Sequence, residues 1–106
     1  MSDNNTPAKY TVTGGGSVGW FRASWPLVTL TATAERLQLE YPGKTVVFTP
    51  EEVISIDIIR PFPFIVRYLA IRHIQAETPK RVRFASFDGA DRLMEGIEES
   101  GFVTRG

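Results

Sequence analysis

A chain of 106 residues, with 42% hydrophobic and 23% charged side chains, has the size and composition of one globular domain. Twelve basic side chains balance twelve acidic ones, so the molecule lacks the overall positive field of a polyanion-binding protein, although its charges can still segregate locally. Because there is no cysteine, disulfides, thiol nucleophiles and thiolate metal sites are excluded.

The N-terminal residues lack the basic and apolar regions of a secretory signal, and no apolar run approaches the roughly 20 residues that span a bilayer. We therefore expect a cytoplasmic protein. Residues 1–16 are polar and rich in small side chains, and they include the glycine triplet 14–16. We interpret them as a flexible tail before a domain at 17–106. The triplet does not indicate a phosphate loop, because neither Gly-Lys-Ser/Thr nor GxGxxG follows it.

From Val18 onward, short apolar and β-branched segments separated by turn residues predict about seven antiparallel strands. Apolar and polar residues alternate in 27–33 and 36–41, which is typical of strands that bury one face. Pro42 and Gly43 predict a tight turn. We place the strands at 18–22, 27–33, 36–41, 44–48, 54–58, 68–74 and 81–87, with a bend at 24–26.

Two segments carry helix signals. Residues 49–52 match a capping box, and we expect a single turn because no apolar stripe continues it. Residues 88–102 predict the one long helix, with Asp88 as the N-cap and Gly101 just past its end. Its apolar stripe consists of Ala90, Leu93, Met94 and Ile97. We expect this helix to cover an open end of a bent sheet.

Four landmarks occur in a characteristic order: WPL at 25–27, LQLEY at 37–41, F-x-P-x-E-V at 48–53, and FDGADRLMEGIEESGF at 87–102. Together they resemble the bacterial pleckstrin-homology-like (PH-like) domains over roughly 16–103. The resemblance implies a mainly β (α+β) fold, a bent antiparallel barrel of about seven strands capped by one C-terminal amphipathic helix. It implies no particular ligand, because domains of this type bind phosphoinositide headgroups, peptides or one another.

Residues that carry catalysis are sparse. His73 is the one histidine, and spacing assigns it no serine, carboxylate or metal partner. The acidic pairs 51/52 and 98/99 are neighbours in helical segments, where adjacent side chains point about 100° apart. No calcium-loop or zinc pattern is present. We therefore expect a protein that is not an enzyme and that uses no metal or cofactor.

The segment 60–83 is strongly basic, with Glu77 as its one acid, whereas the predicted final helix is mostly acidic. If the last two strands are neighbours, Arg72 clusters with Arg81 or Arg83 and can hold an anionic lipid headgroup or an acidic protein face. A purely structural role is the alternative, because alternation requires polar residues on an outer face anyway. The anion- or lipid-binding candidates are Arg60, Arg67, Arg72, Lys80, Arg81 and Arg83. Nucleic acid is not favoured, since the pattern shows no exposed aromatics beside these charges.

The connection between the fifth and sixth predicted strands is apolar and proline-rich. We expect its side chains Phe62, Phe64 and Ile65 to cover the barrel mouth, to contact a partner subunit, or to enter a membrane interface. The aromatic residues at 20, 21 and 25 are likewise expected either to anchor the core or to form an interface.

These patterns favour a noncatalytic PH-like binding or assembly module that self-associates through the 62–66 loop or an exposed strand edge. Its partners would be further copies of the chain or another protein. The alternative is a peripheral membrane module that binds anionic lipid headgroups through the basic 60–83 segment.

Overall fold

The computed structural model describes residues 8–60 and 67–105. Their strands form one antiparallel sheet that curls into a half-barrel, followed by an α-helix. The strands are β1 (Tyr10–Val18), β2 (Phe21–Ala32), β3 (Leu37–Tyr41), β4 (Lys44–Phe48), β5 (Val53–Ile59), β6 (Tyr68–His73) and β7 (Val82–Ala85), and the helix is α1 (Ala90–Glu99). Their order in the sheet is β4-β3-β2-β1-β7-β6-β5. The predicted mainly β fold with a terminal helix is confirmed, and membership of the PH-like family stays a prediction.

The inner face of the half-barrel holds the core. Alternation in β2 and β3 turns Val28, Leu30, Leu37 and Leu39 inward, where all four are fully buried. Leu30 lies directly opposite Leu39, so the two strands contribute to the same layer. Burying a side chain of this size stabilises the fold by about 1.5–3 kcal/mol. Five predicted strands, β3 to β7, lie within two residues of their observed bounds.

The predicted tail at 1–16 is wrong from Tyr10 onward, because β1 begins there and is paired on both sides. It pairs with β2 along most of its length and with β7 over its second half. The glycine triplet lies in this strand, at a shift of register between Gly14 and Gly16. A Cβ on Gly16 would overlap the carbonyl oxygen of Arg83. The glycines are therefore required by the close approach of neighbouring strands, and they do not belong to a flexible tail.

The predicted strand at 18–22 is also wrong, because these residues span a hairpin turn. β1 ends at Val18, Gly19 has a φ of 60°, and β2 begins at Phe21. A positive φ of this size favours glycine, so Gly19 is a turn signal inside the segment that we predicted to be a strand. The expected bend around Pro26, which follows a cis peptide bond, interrupts the pairing with β1 without ending β2.

Helix α1 packs its predicted apolar stripe onto the inner face. Leu93 and Ile97 are buried in the core. Gly89, with a φ of 92°, stands at the N-cap, and Asp88 makes no capping hydrogen bond, so the predicted cap is wrong by one residue. The cause is a turn in which the N–H of Asp88 donates to Oγ of Ser86. Gly101, with a φ of 92°, follows the helix end as expected.

The outer face of α1 is acidic. The exposed carboxylates on it are Asp91, Glu95, Glu98 and Glu99. Arg92 is the one basic side chain in the helix. Its Nη1 lies 3.0 Å from Oε1 of Glu95 and 3.5 Å from Oε1 of Glu99. The side of the molecule that α1 covers therefore has an excess of negative charge.

The single turn expected at 49–52 is present as a 3-10 turn. The N–H of Thr49 donates to Oε1 of Glu52 at 2.9 Å, and this bond is the main reason that the pKa of Glu52 lies below its ordinary value. Nε2 of Gln75 donates to the same carboxylate at 3.0 Å and to the carbonyl of Val47 at 2.7 Å. The turn after β4 is thereby tied to the connection that follows β6.

We expect Gly16→Ala to lower the free energy of unfolding by about 1–3 kcal/mol, the range for an overpacked interior site. The new methyl group would force β1 away from the backbone of Arg83. Urea unfolding followed by circular dichroism measures the change. Ser17→Ala, one residue along β1, is the control and should change stability by no more than about 0.5–1 kcal/mol. Equal stabilities for the two variants would contradict the close approach.

Burial raises the pKa of Tyr41 from 10.0 to about 12, and its hydroxyl donates to the carbonyl of Ser17 at 3.1 Å. Because the folded pKa exceeds the unfolded one, the stabilisation is complete below pH 10 and is lost as pH rises towards 12. We expect the unfolding free energy to fall by about 2 kcal/mol across this window because of Tyr41 alone. Tyr41→Phe should remove that part of the fall, and unchanged pH dependence in this variant would contradict the assignment.

Candidate anion-binding groove

Arginines from neighbouring strands meet on the outer face of the half-barrel. Arg22 of β2 lies opposite Ser17 of β1, and Ser17 lies opposite Arg83 of β7. The two arginines therefore belong to one row across the sheet. Val82 and Phe84, on either side of Arg83, are buried in the core. Alternation consequently directs Arg83 outward, and Arg81 shares its side of the strand.

The β6–β7 pair brings a further arginine to this face. Ile71 lies opposite Val82, so the next pair along the antiparallel register is Arg72 with Arg81. Both arginines are exposed. The last two strands are therefore neighbours, as the predicted cluster requires, and Arg72 and Arg81 lie on the same face as Arg83.

A groove of about 460 Å³ runs over this face. The part of its floor that β1 supplies includes Gly15 and Gly16, which have no side chains, so a ligand can approach the backbone. The charged side chains that line it are Arg22, Arg81 and Arg83, and no carboxylate lines it among residues 8–60 and 67–105. The groove is therefore locally basic in a protein whose formal net charge is zero.

Tyr68 orients one of these arginines. The guanidinium carbon of Arg83 lies 4.9 Å from the centroid of the Tyr68 ring, a cation–π contact that contributes about 0.5–1 kcal/mol at an exposed site. Within the part of the chain that the structure describes, the arginines of this face make no ion pair. The nearest acid in the row of Arg22 and Arg83 is Asp57 of β5, which lies opposite Ala70 of β6. Its carboxylate accepts a hydrogen bond from the hydroxyl of Ser55. Arg83 is thus held over the groove with its hydrogen-bond donors available.

Trp20 lines one end of the groove, at the tip of the β1–β2 hairpin. Its relative exposure is 101%, so it packs against no residue in the described part of the chain. The preceding Gly19 donates its N–H to the carbonyl of Arg81 at 2.8 Å, and it lies close to the ring of Pro79. The hairpin tip and the β6–β7 connection therefore form one end of the molecule.

The other predicted site residues are distributed as follows. Arg67 does not join the groove, because it forms a 3.1 Å ion pair with Asp91 that links the start of β6 to α1. Lys80 is exposed beside Arg81, and Arg60 is exposed just after β5. The predicted interaction loop, Phe62, Phe64 and Ile65, lies outside the described residues.

Three contributors to the groove were absent from the sequence-based candidates: Arg22, Tyr68 and the glycine floor. Arg22 is about 60 residues from Arg83 in sequence, and only the pairing of β1 with β7 joins them. The one local signal was the glycine triplet itself. Three consecutive residues without side chains inside a strand are consistent with a close approach of backbones.

A second cleft, of about 580 Å³, is larger and mainly apolar. Trp25 and Phe87, whose ring centroids are 5.0 Å apart, line it and are both exposed. Its charged lining residues are Arg67 and Asp91, which form an ion pair, and Asp88, so it carries one acid beyond that pair. The arginine groove therefore has the stronger electrostatic character, although it is the smaller of the two.

His73 has a structural environment. The backbone N–H of Gln75 donates to Nδ1 at 3.1 Å, so Nε2 carries the hydrogen and donates to the carbonyl of Pro79, 2.8 Å away. The ring also packs against Phe48. Both ring nitrogens thus hold the β6–β7 connection in place. Residues 8–60 and 67–105 contain no group of three or more His, Asp or Glu side chains placed to hold a metal ion.

Over the same described residues, no helix has both the length and the apolar character needed to cross a bilayer. Comparisons with protein-family models, with curated proteins and with solved structures find no match to this chain.

Proposed function

We propose that this protein is a noncatalytic binding module that takes a phosphate-bearing or similar anionic group in the arginine groove. The observation that supports this proposal is the convergence of Arg22, Arg81 and Arg83 on a groove that no carboxylate of the described residues lines. Like charges gathered at one place repel one another, and a bound anion relieves that repulsion. A guanidinium also presents paired donors that match the oxygens of a phosphate.

The charges in the groove also favour binding over chemistry. Arginine stays protonated in proteins, so these side chains can neutralise and orient an anion but do not accept a proton. The one histidine, which could serve as an acid or base, uses both ring nitrogens to hold the backbone. The proposal therefore requires a ligand with negative charge and assigns no reaction to the site.

We expect the protein to bind inositol hexakisphosphate, a soluble polyphosphate probe, and we expect Arg83→Ala to weaken binding at least about tenfold. Losing a hydrogen bond to a charged group costs about 1.5–3 kcal/mol, and 1.4 kcal/mol corresponds to a factor of ten. Isothermal titration calorimetry at low and high salt measures the affinity and its screening. Arg36→Ala, which removes an exposed arginine in the β2–β3 turn, is the matched control and should bind like the wild type.

Two results would contradict this proposal. One is the absence of measurable binding by the wild type at millimolar probe in low salt. The other is an equal loss of affinity in the Arg36→Ala and Arg83→Ala variants, because it would indicate a diffuse charge effect without a defined groove.

We propose self-association as a second candidate function, now through the edge of the sheet at β4. This strand lies at one end of the sheet order, so it has one neighbouring strand among those described. Its Val47 side chain is partly exposed, although the Val47 carbonyl is covered by Gln75. An edge strand of this kind can pair with the same strand of a second copy.

If β4 mediates self-association, sedimentation velocity at high micromolar protein should detect a dimer, and Val47→Lys should shift it to monomer. A lysine on an edge strand opposes further strand pairing. Val103→Lys charges an exposed apolar residue that lies beside β5 and α1, and it should leave the dimer intact. A wild type that remains monomeric at this concentration rules the candidate out.

A further inference from the structure

One end of the half-barrel combines a fully exposed tryptophan with basic side chains. It consists of the β1–β2 hairpin tip and the β6–β7 connection, which are joined by the hydrogen bond from Gly19 to Arg81 and by the contact of Gly19 with Pro79. Trp20 projects from the tip, and Lys80 and Arg81 lie on the adjoining connection. Because the two segments are tied together by backbone, these side chains present one surface.

The exposure of Trp20 has no explanation inside the fold. Among residues 8–60 and 67–105 it is the most exposed of the large apolar residues, whereas the half-exposed Trp25 contacts the ring of Phe87. A side chain without internal contacts contributes little to the stability of the folded state. Tryptophan prefers the boundary between water and lipid, where its ring is apolar and its N–H remains hydrated. Ile74, also exposed, follows β6 at the start of the same connection.

The charges around Trp20 complement an anionic surface. The basic side chains of this end are Arg22, Arg72, Lys80 and Arg81. They outnumber its acids, which are Glu77 in the β6–β7 connection and Glu52, whose carboxylate accepts from Gln75 at the start of that connection. Each basic side chain near an anionic membrane increases affinity by about fivefold. Peripheral binding strengthens with the apolar area that enters the interface and with the electrostatic attraction to anionic lipids, so Trp20 and these basic side chains would act together.

We infer that this end of the molecule rests on an anionic membrane, with Trp20 in the interface and a lipid phosphate in the arginine groove. The inference rests on the proposed anion-binding function and names the lipid headgroup as the source of the anion. A lipid surface fits better than single-stranded nucleic acid, because the Trp20 tip and basic side chains gather at one end of the fold. A nucleic-acid strand would be tracked by charges and stacking rings along a continuous channel.

The two tryptophans allow a direct test with the full chain. Trp25→Phe leaves Trp20 as the single fluorophore, and Trp20→Phe leaves Trp25 as the single fluorophore. Vesicles of phosphatidylcholine, with or without about 30 mol% phosphatidylserine, are added, and quenching by lipids brominated in the acyl chains is measured. We expect a blue shift and quenching for Trp20 with the anionic vesicles alone, reduced at high salt, and little change for Trp25.

Flotation then measures how much Trp20 contributes to affinity. Trp20→Ser should reduce binding to anionic vesicles by about tenfold or more, as expected when an interfacial aromatic anchor is lost. The affinity of the same variant for inositol hexakisphosphate should fall much less than its affinity for vesicles, because Trp20 lines only one end of the groove and the three arginines are intact. Circular dichroism should show an unchanged fold, since Trp20 has no packing contacts to lose.

The outcomes separate the two proposals. Binding of inositol hexakisphosphate without binding of anionic vesicles overturns the membrane inference and leaves the proposed function in place. Binding of neither overturns both. Vesicle binding without quenching of Trp20 overturns its assignment as the anchor. Tighter binding to a single-stranded oligonucleotide than to vesicles, with Trp20 quenched by the bases, overturns the membrane as the partner.

Discussion

The pairing of β1 with β7 is the interaction on which the rest of the structure depends. Four strands, β1 to β4, form consecutive hairpins, and β5 to β7 form a second run, so this one pair joins the two runs into a single sheet. The pairing is possible because the glycine triplet has no Cβ atoms, which would overlap the backbone of the neighbouring strands. Non-local pairing of this kind costs loop-closure entropy, which the buried apolar side chains of both runs must offset. The half-barrel, and hence its inner and outer faces, follows from it.

The same pairing makes the groove. It aligns Arg22 from the first run of strands with Arg83 from the second, on either side of Ser17, and it places the glycine backbone of β1 next to this row. A side chain in place of either Gly15 or Gly16 would meet backbone atoms of a neighbouring strand, so the features that permit the fold also leave the groove open. The helix depends on a comparable close approach, because Gly96 of α1 lies against the ring of Tyr10 in β1.

Much of the fold could be predicted from local patterns, because alternation and helical periodicity report directly which faces are buried. The segment at 36–41 and the apolar stripe of α1 are examples, and both entered the core as expected. The first strand could not be recognised, since its glycines and threonines carry little hydrophobic signal and β1 is stabilised by pairing on both sides. The helix cap was displaced from Asp88 to Gly89, because a turn at Ser86 competed with capping by the aspartate.

The candidate site was less predictable than the fold. The basic character of 60–83 was visible in the sequence, and the neighbouring placement of β6 and β7 gathers Arg72, Arg81 and Arg83. Two other predicted arginines lie elsewhere: Arg67 pairs with Asp91, and Arg60 is exposed after β5. Arg22 joins the groove through strand order, which is a non-local property. The exposure of Trp20 could not be inferred either, because a hairpin tip and a core strand can carry the same aromatic residue.

The separation of charge between the acidic outer face of α1 and the arginine face gives a neutral molecule with a permanent electric dipole. A neutral particle feels little net force from a distant charged surface, but a dipole experiences a torque once it comes within about a Debye length, roughly 8–10 Å. A charged surface would then select the orientation of the molecule at short range, whereas it would attract the molecule only weakly from a distance. Such a molecule could diffuse among polyanions without being trapped and would respond to the local density of charge on a surface.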